Sequence, residues 1–270
     1  MSPDSFSLAG KVALVTGSGR ENGIGAAIAR ALARNGAHVA VHYVSQESKS
    51  RAEKVAEDLG NEYGVKTTVV QGAVQDPNAA SRMVKETLMA FDASHLDILV
   101  NNAAAGYPKP LGEVTPEQLQ HEFGVITFGT IYMIQAALGV GNMPVGGRII
   151  NIGSTATKQG PYGAPVYVAA KAAQDCIAVA WAGELGRNHG ITINTLAPGL
   201  VPTDMSKPLL ETSGGAPSDA QTAIIAATRA AARLGAPEDL ADAVLLLASE
   251  KSRWITAEWI SVSGGLTPTM

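Results

Sequence analysis

Cysteine is almost absent from this chain: Cys176 is the only one in 270 residues. An intramolecular disulfide is therefore impossible, and no thiolate metal cluster can form. Charge is sparse as well. Charged residues make up 16% of the sequence, the formal net charge is −4, and no run of lysine or arginine occurs. This excludes the electrostatic footprint of a nucleic-acid or anionic-membrane binder. No apolar stretch approaches the roughly 20 residues needed to cross a bilayer. The opening MSPDSFSLAGK lacks the charged segment and apolar core of a secretory signal. The expectation is a cytoplasmic protein with neither nucleic-acid nor membrane partners. Metal ligands are missing too. His38 and His42 share one face of a predicted strand without further ligands beside them, and His95, His121 and His189 have no matching partners.

What is present is regular alternation. Short β-rich runs at residues 11–16, 37–43, 66–71, 96–101, 148–153, 191–197 and 259–262 alternate with helical patterns at 24–35, 47–63, 79–91, 116–138, 166–188 and 237–248. VALVT, DILVN and GRIINI are nearly continuous apolar runs, the pattern of strands buried on both faces of a parallel sheet. The alternation predicts an α/β fold: a doubly wound, Rossmann-like parallel sheet of about seven strands, helices on both faces, as one domain over residues 1–270. Ligands of such sheets bind beyond the carboxyl ends of the strands, at the switch point.

TGSGRENGIG, residues 16–25, occupies that position, after the first strand and at the mouth of a helix. Gly23 and Gly25 permit close backbone approach, and the free N–H groups of the helix beginning at Ile24 face a prospective anion. By itself the stretch fits a ligand-free strand-to-helix turn equally well. GSTATKQGPYGAPVYVAAK, residues 153–171, adds chemistry. Tyr167 and Lys171 stand one helical turn apart and share a face. A phenol of pKa about 10 is a poor acid or base near neutrality, and a nearby ammonium lowers that value. Ser154, at the end of a predicted strand, directs a hydroxyl into the same crevice. A Tyr/Lys pair alone is also common on ordinary helix surfaces.

Together these motifs resemble the short-chain dehydrogenase/reductase family over essentially the whole chain. The resemblance is carried by Tyr167-x-x-x-Lys171 with Ser154 upstream, NNAA at residues 101–104, Asn194-x-x-x-Pro198-Gly199-x-x-x-Thr203, and the closing WISVSGG. It implies that the glycine stretch is a dinucleotide cradle with a loop lengthened by about two residues relative to the usual fingerprint. It also implies an enzyme interconverting a ketone and a secondary alcohol. Tyr167 would be the general acid or base, Lys171 its activator, and Ser154 the group holding the substrate oxygen. The implied cofactor contacts are Gly17, Arg20, Gly23, Ile24 and Gly25 in the loop, Tyr43 and Ser45 after the second strand, and Ala73 and Val74 after the third. Asn101 and Ala103 follow from the fourth, and Pro198, Gly199, Val201, Thr203 and Met205 from the sixth, joined by Tyr167 and Lys171.

The second strand ends without an acid at His42, Tyr43, Val44 or Ser45. An acid there would bond a ribose 2′-hydroxyl, whereas Arg20 and Ser45 suit a 2′-phosphate. NADP(H) is favoured, with NAD(H) the alternative. Tyr107, Pro161, Tyr162 and Leu200 are expected to line a mainly apolar pocket for a small carbonyl or alcohol substrate, under a lid at about 203–234. The resemblance further implies a homo-oligomer, tetramer or dimer.

Alternatives are a 3-oxoacyl-carrier-protein-type reductase, for which Arg148 and Arg187 are the candidate docking cations, and a non-catalytic cofactor-binding scaffold or redox sensor. Enoyl reductases of this kind separate Tyr and Lys by six residues, not three. The chain departs from the family pattern at Ile126 in VITFGT, where an asparagine is usual: a carbonyl is kept and a side-chain amide lost, with Thr127 nearest to replace it. A second departure is Ala73, where an aspartate often meets adenine.

Overall fold

Seven strands pair in parallel throughout, in the order β3-β2-β1-β4-β5-β6-β7. The computed structural model describes residues 6–161, 163–212 and 214–268. In chain order its elements are β1 (Val12–Val15), α1 (Ile24–Arg34), β2 (His38–Tyr43), α2 (Lys49–Tyr63), β3 (Thr67–Gln71), α3 (Pro77–Phe91), β4 (Ile98–Asn101), α4 (Pro116–Phe123), α5 (Gly129–Leu138) and β5 (Arg148–Ile152). There follow α6 (Ala156–Gln159), α7 (Pro165–His189), β6 (Thr192–Pro198), α8 (Lys207–Leu210), α9 (Asp219–Ala227), α10 (Pro237–Ala248) and β7 (Trp259–Val262). The doubly wound sheet is as expected, with each predicted strand within about two residues of its place, the usual uncertainty of element ends.

The central strands β1, β4 and β5 are buried at every residue, which is why they read as apolar without alternation. One face packs Ile28 and Leu32 of α1 and Val244 and Leu247 of α10 against Val15, Val100 and Ile150. The other packs Met83 of α3, Met133 and Ile134 of α5, and Ala178 and Leu185 of α7 against Leu14, Leu99 and Ile149. The strand order reverses between β1 and β4, which pair directly through Ala13–Ile98 and Val15–Val100. Their carboxyl ends open the crevice that the winding rule assigns to a ligand.

Two segments differ from the sequence reading. Residues 116–138 are not one helix: a π-helical turn at Gly124–Phe128 separates α4 from α5. Gly129 marks the join, where a Cβ would lie 2.7 Å from Val74 Cγ2, so the helix approaches the β3 loop closely only because glycine is there. The 203–234 stretch, expected as a lid and given no helical pattern in the sequence, contains α8 and α9. The Ser218 hydroxyl accepts the Gln221 N–H and starts α9, a cap whose signal is diluted by the neighbouring glycines.

Candidate active site

The glycine-rich turn is held from below by polar side chains rather than by its glycines alone. Gly17 takes a left-handed φ of 66° and its N–H donates to His42 Nδ1 at 2.8 Å. That bond fixes the imidazole proton on Nε2, which donates to the Gly72 carbonyl at 2.8 Å. His42 is buried, and burial pulls its pKa below the ordinary 6.5. The Ser18 hydroxyl donates to Val15 O and accepts from His42 N. From β4's end, Asn102 Nδ2 donates to the carbonyls of Thr16 and Gly17 at 2.8 and 3.1 Å. Thr16 Oγ1 accepts the N–H groups of Asn102 and Ala103. A Cβ on Gly25 would sit 2.5 Å from Gly17 O, so α1 begins against the turn itself. The α1 N-terminus has neither a side-chain cap nor an acid in its first turn. Its donors are thus open to an anion, and the donor set fits a pyrophosphate.

Beside this turn lies the second group of residues. α7 starts with Pro165 in its first turn, which presets the helical φ without wasting a donor. Tyr167 and Lys171 follow on one face. The Ser154 side chain, just beyond β5, lies close enough to the Tyr167 phenol to act on its titration, so the serine turn and the tyrosine opening α7 face each other. The phenol nevertheless lies above its ordinary value of 10. Burial is the main cause, the nearby Ser154 side chain opposes it, and the fields of Asp175 and Glu122 add to it. Lys171 is 2% exposed and burial brings its pKa down to about 8, against the field of Asp175. Its Nζ donates to the carbonyl of Ile152 at 2.5 Å and to Gln174 Oε1 at 3.1 Å. Asp175 is pushed up to about 6 by burial, although its Oδ2 accepts from the Thr157 hydroxyl and from Trp259 Nε1, each at 3.0 Å. The same Thr157 hydroxyl also lies 3.0 Å from Ser154 O, so its single proton is shared between that carbonyl and Asp175, and Thr155 donates to Pro198 O through both N and Oγ1. The serine turn is thereby tied to α7, β6 and β7.

The remaining expected residues divide. Gly106 brings the β4 loop against the Tyr167 ring, with 3.0 Å between its would-be Cβ and Cδ2. Gly199, Leu200 and Thr203 are partly buried beyond β6. Arg20 and Met205 are exposed, as are the pocket candidates Tyr107 and Pro161; Tyr162 lies outside the described residues. Tyr43 and Val74 are buried within the two cores, and Val201 is buried too, so their side chains support the crevice more than they face it. The Asn101 side chain is turned to Asn151 Oδ1 at 2.9 Å; its neighbour Asn102 is the one bonded to the glycine turn. Thr127, named as a replacement for the amide absent at Ile126, donates to Ala170 O and does not bond the lysine. The sequence reading gave no site role to Asn102, His42, Gln174 or Asp175. The Asn doublet, and the spacing of Gln174 and Asp175 three and four residues past Lys171, were the available signals. Among the described residues no cluster of three or more metal-ligating side chains occurs, and no helix is long and apolar enough to cross a membrane.

Comparison with known proteins agrees with this geometry. A family model described as enoyl-(acyl carrier protein) reductase matches residues 17–267. The chain is 38% identical to the short-chain dehydrogenase/reductase FrzI of a Cladobotryum species, covering 96% of this chain and 97% of that protein. It is 38% identical to versicolorin reductase 1 of Aspergillus parasiticus, covering 97% and 98%. Among solved structures, the angucycline C-6 ketoreductase LanV with bound NADP superposes with a TM-score of 0.84 at 34% identity, covering 96% of each chain. With sheet order, the Tyr167–Lys171 spacing on α7 and sequence similarity in agreement over nearly its whole length, the chain belongs to the short-chain dehydrogenase/reductase family of NAD(P)-dependent oxidoreductases.

Proposed function

We propose that this enzyme is an NADP(H)-dependent ketone reductase with Ser154, Tyr167 and Lys171 as its catalytic groups. The observation that carries the reading is the convergence of three groups: Ser154 just beyond β5, whose side chain acts on the Tyr167 phenol, and Tyr167 and the buried Lys171 one turn apart on α7. Bound nicotinamide would supply or accept the hydride. Tyr167 holds the proton that the substrate oxygen takes as its carbon is reduced, and Ser154 donates to that oxygen and fixes its position. A phenol at or above its ordinary value carries its proton at neutral pH, as the acid role in reduction requires. The Lys171 ammonium stabilises the phenolate left behind.

The α1 N-terminus with Gly23, Ile24 and Gly25 would receive the pyrophosphate, and Arg20 and Ser45 the 2′-phosphate. The NADP-bound ketoreductase relative supports this preference. The alternative, NAD(H), rests on Glu47, the first acid after β2, which follows Ser45 in the turn before α2. The versicolorin reductase and ketoreductase relatives support a ketone substrate. Leu200, Tyr107 and Pro161 would form an apolar wall, with 203–234 as a lid and all of 1–270 one catalytic domain. Docking of an acyl carrier protein loses one of its two cations, since Arg148 is buried and paired with Glu250 at 3.1 Å. The exposed Cys176, Val179, Ala180 and Gly183 on α7 are the face proposed for self-association.

The test is NADPH and NADH oxidation with a panel of ketones, repeated with Tyr167→Phe. The variant is expected to bind NADPH as before and to lose turnover by about 10²- to 10⁴-fold. Unchanged turnover would remove Tyr167 from its role. NADPH binding without turnover by the unaltered protein on any ketone favours the scaffold reading.

A further inference from the structure

Behind Lys171, between α5 and α7, runs a chain of buried side chains that hydride transfer and substrate binding do not use. Lys171 Nζ donates to Gln174 Oε1 at 3.1 Å. Gln174 Nε2 donates to Thr130 Oγ1 at 2.7 Å, and the Thr130 hydroxyl donates to the carbonyl of Ile126 at 2.7 Å. Gln174 and Ile126 are wholly buried and Thr130 nearly so. The chain has a direction. Thr130 has one hydroxyl proton, and it is committed to Ile126 O. Toward Gln174 it can therefore only accept, which turns the amide nitrogen to Thr130 and the amide oxygen to Lys171. An amide buried in an otherwise apolar helix interface costs stability unless both ends are paired, and here both are. The acceptor at the far end, Ile126 O, lies in the π-helical turn.

We propose that Gln174 is the positioning residue for Lys171, its amide oxygen holding the lysine as an ammonium ion in the site, with Thr130 and the Ile126 carbonyl locking the amide in that orientation. The side-chain amide missing at Ile126 on the α5 side is thus supplied from α7. The charged or titratable groups around the lysine are Tyr167 and Asp175 on α7. Glu122 of α4 acts on the tyrosine, while β5 offers the Ile152 carbonyl.

The inference rests on the catalytic reading of Lys171, so its primary readout is independent of turnover. In ligand-free protein carrying ¹³Cε-labelled lysine, the Lys171 resonance is assigned with Lys171→Arg and titrated by NMR. Gln174→Met keeps the volume and removes the acceptor; Gln174→Glu places a carboxylate there. The Lys171 midpoint should fall by about one unit in the first and rise by about one unit in the second. The alkaline limb of the kcat profile should move in the same two directions. A merely structural glutamine would lower stability in both without moving the midpoint in opposite senses. Midpoints unchanged in both variants overturn the inference. If Gln174→Met does not fold, Gln174→Glu decides alone, and an unmoved midpoint there overturns it. An inactive unaltered enzyme in which the midpoints still shift would instead overturn the catalytic reading and leave the Lys171–Gln174 coupling standing.

Discussion

Replacing Lys171 by methionine should make the ligand-free protein comparatively more stable as the pH falls, while abolishing turnover. The lysine is 2% exposed, and its pKa moves from 10.5 to about 8 chiefly through burial. At about 1.4 kcal/mol per unit, keeping the amine charged inside the fold costs about 3 kcal/mol. The sign follows from proton counting. With the folded pKa lowered, the unfolded chain binds more protons between the two values. The contribution is full above 10.5 and is lost as the pH falls through about 8. Lys171→Met has no such loss. Its unfolding free energy relative to the unaltered protein should therefore rise by about 2 to 3 kcal/mol between about pH 10 and about pH 7. Acting against this is a loss without pH dependence: Ile152 O and Gln174 Oε1 each lose a donor, at about 1 to 3 kcal/mol for a buried group left unpaired. The absolute stability of the variant can thus fall on either side of the parent, and the decisive quantity is the pH dependence of the difference. Urea unfolding of both proteins at the two pH values measures it. A difference that is flat, or that favours the lysine protein toward pH 7, would refute the reasoning.

Gly25→Ala should destabilise the fold by about 1 to 3 kcal/mol and impair NADPH binding, since the added methyl meets Gly17 O at 2.5 Å and Ser18 Cα at 2.9 Å; thermal melting and a binding titration check both. Arg20→Ala should raise KM for NADPH by about tenfold or more, the cost of a lost charge-assisted bond, and leave that for NADH nearly unchanged. Equal effects on the two would remove the arginine from the 2′-phosphate. His42 is buried neutral with its pKa below 6.5, so its contribution to stability is full above that value and is lost as the pH falls. His42→Gln should give a shallower decline of melting temperature below about pH 6.5, and an unchanged slope would count against the imidazole.

The sheet was readable because its strands are buried on both faces and therefore uninterrupted in their apolar character. GRIINI and VALVT needed no alternation to be recognised. The segments that escaped are those whose signal is local and weak. α6 and α8 span four residues each, too short for a helical period to register. The π turn at Gly124–Phe128 inserts a change of pitch into a pattern that hydrophobic spacing alone reads as continuous. Ser154, Tyr167 and Lys171 were found through an ordered set of motifs. The groups that hold them were harder to find, because a glutamine or aspartate in an alanine-rich helix has no distinguishing composition. Geometry alone turns Gln174 and Asp175 toward the lysine and the serine turn.

Burial acts in one direction on all three titratable groups of α7 at the site. It raises Tyr167, raises Asp175 to about 6 and lowers Lys171 to about 8, each toward its neutral form. The Ser154 side chain opposes that tendency at Tyr167, the bonds from Thr157 and Trp259 oppose it at Asp175, and the charge of Asp175 opposes it at Lys171. Proton placement in the crevice is consequently a balance between desolvation and a few specific hydrogen bonds, and it is sensitive to any charge that enters. Replacing one of those partners moves the titration of a neighbour before it moves the backbone. The supporting residues are therefore part of the acid–base chemistry, although they need not touch the substrate.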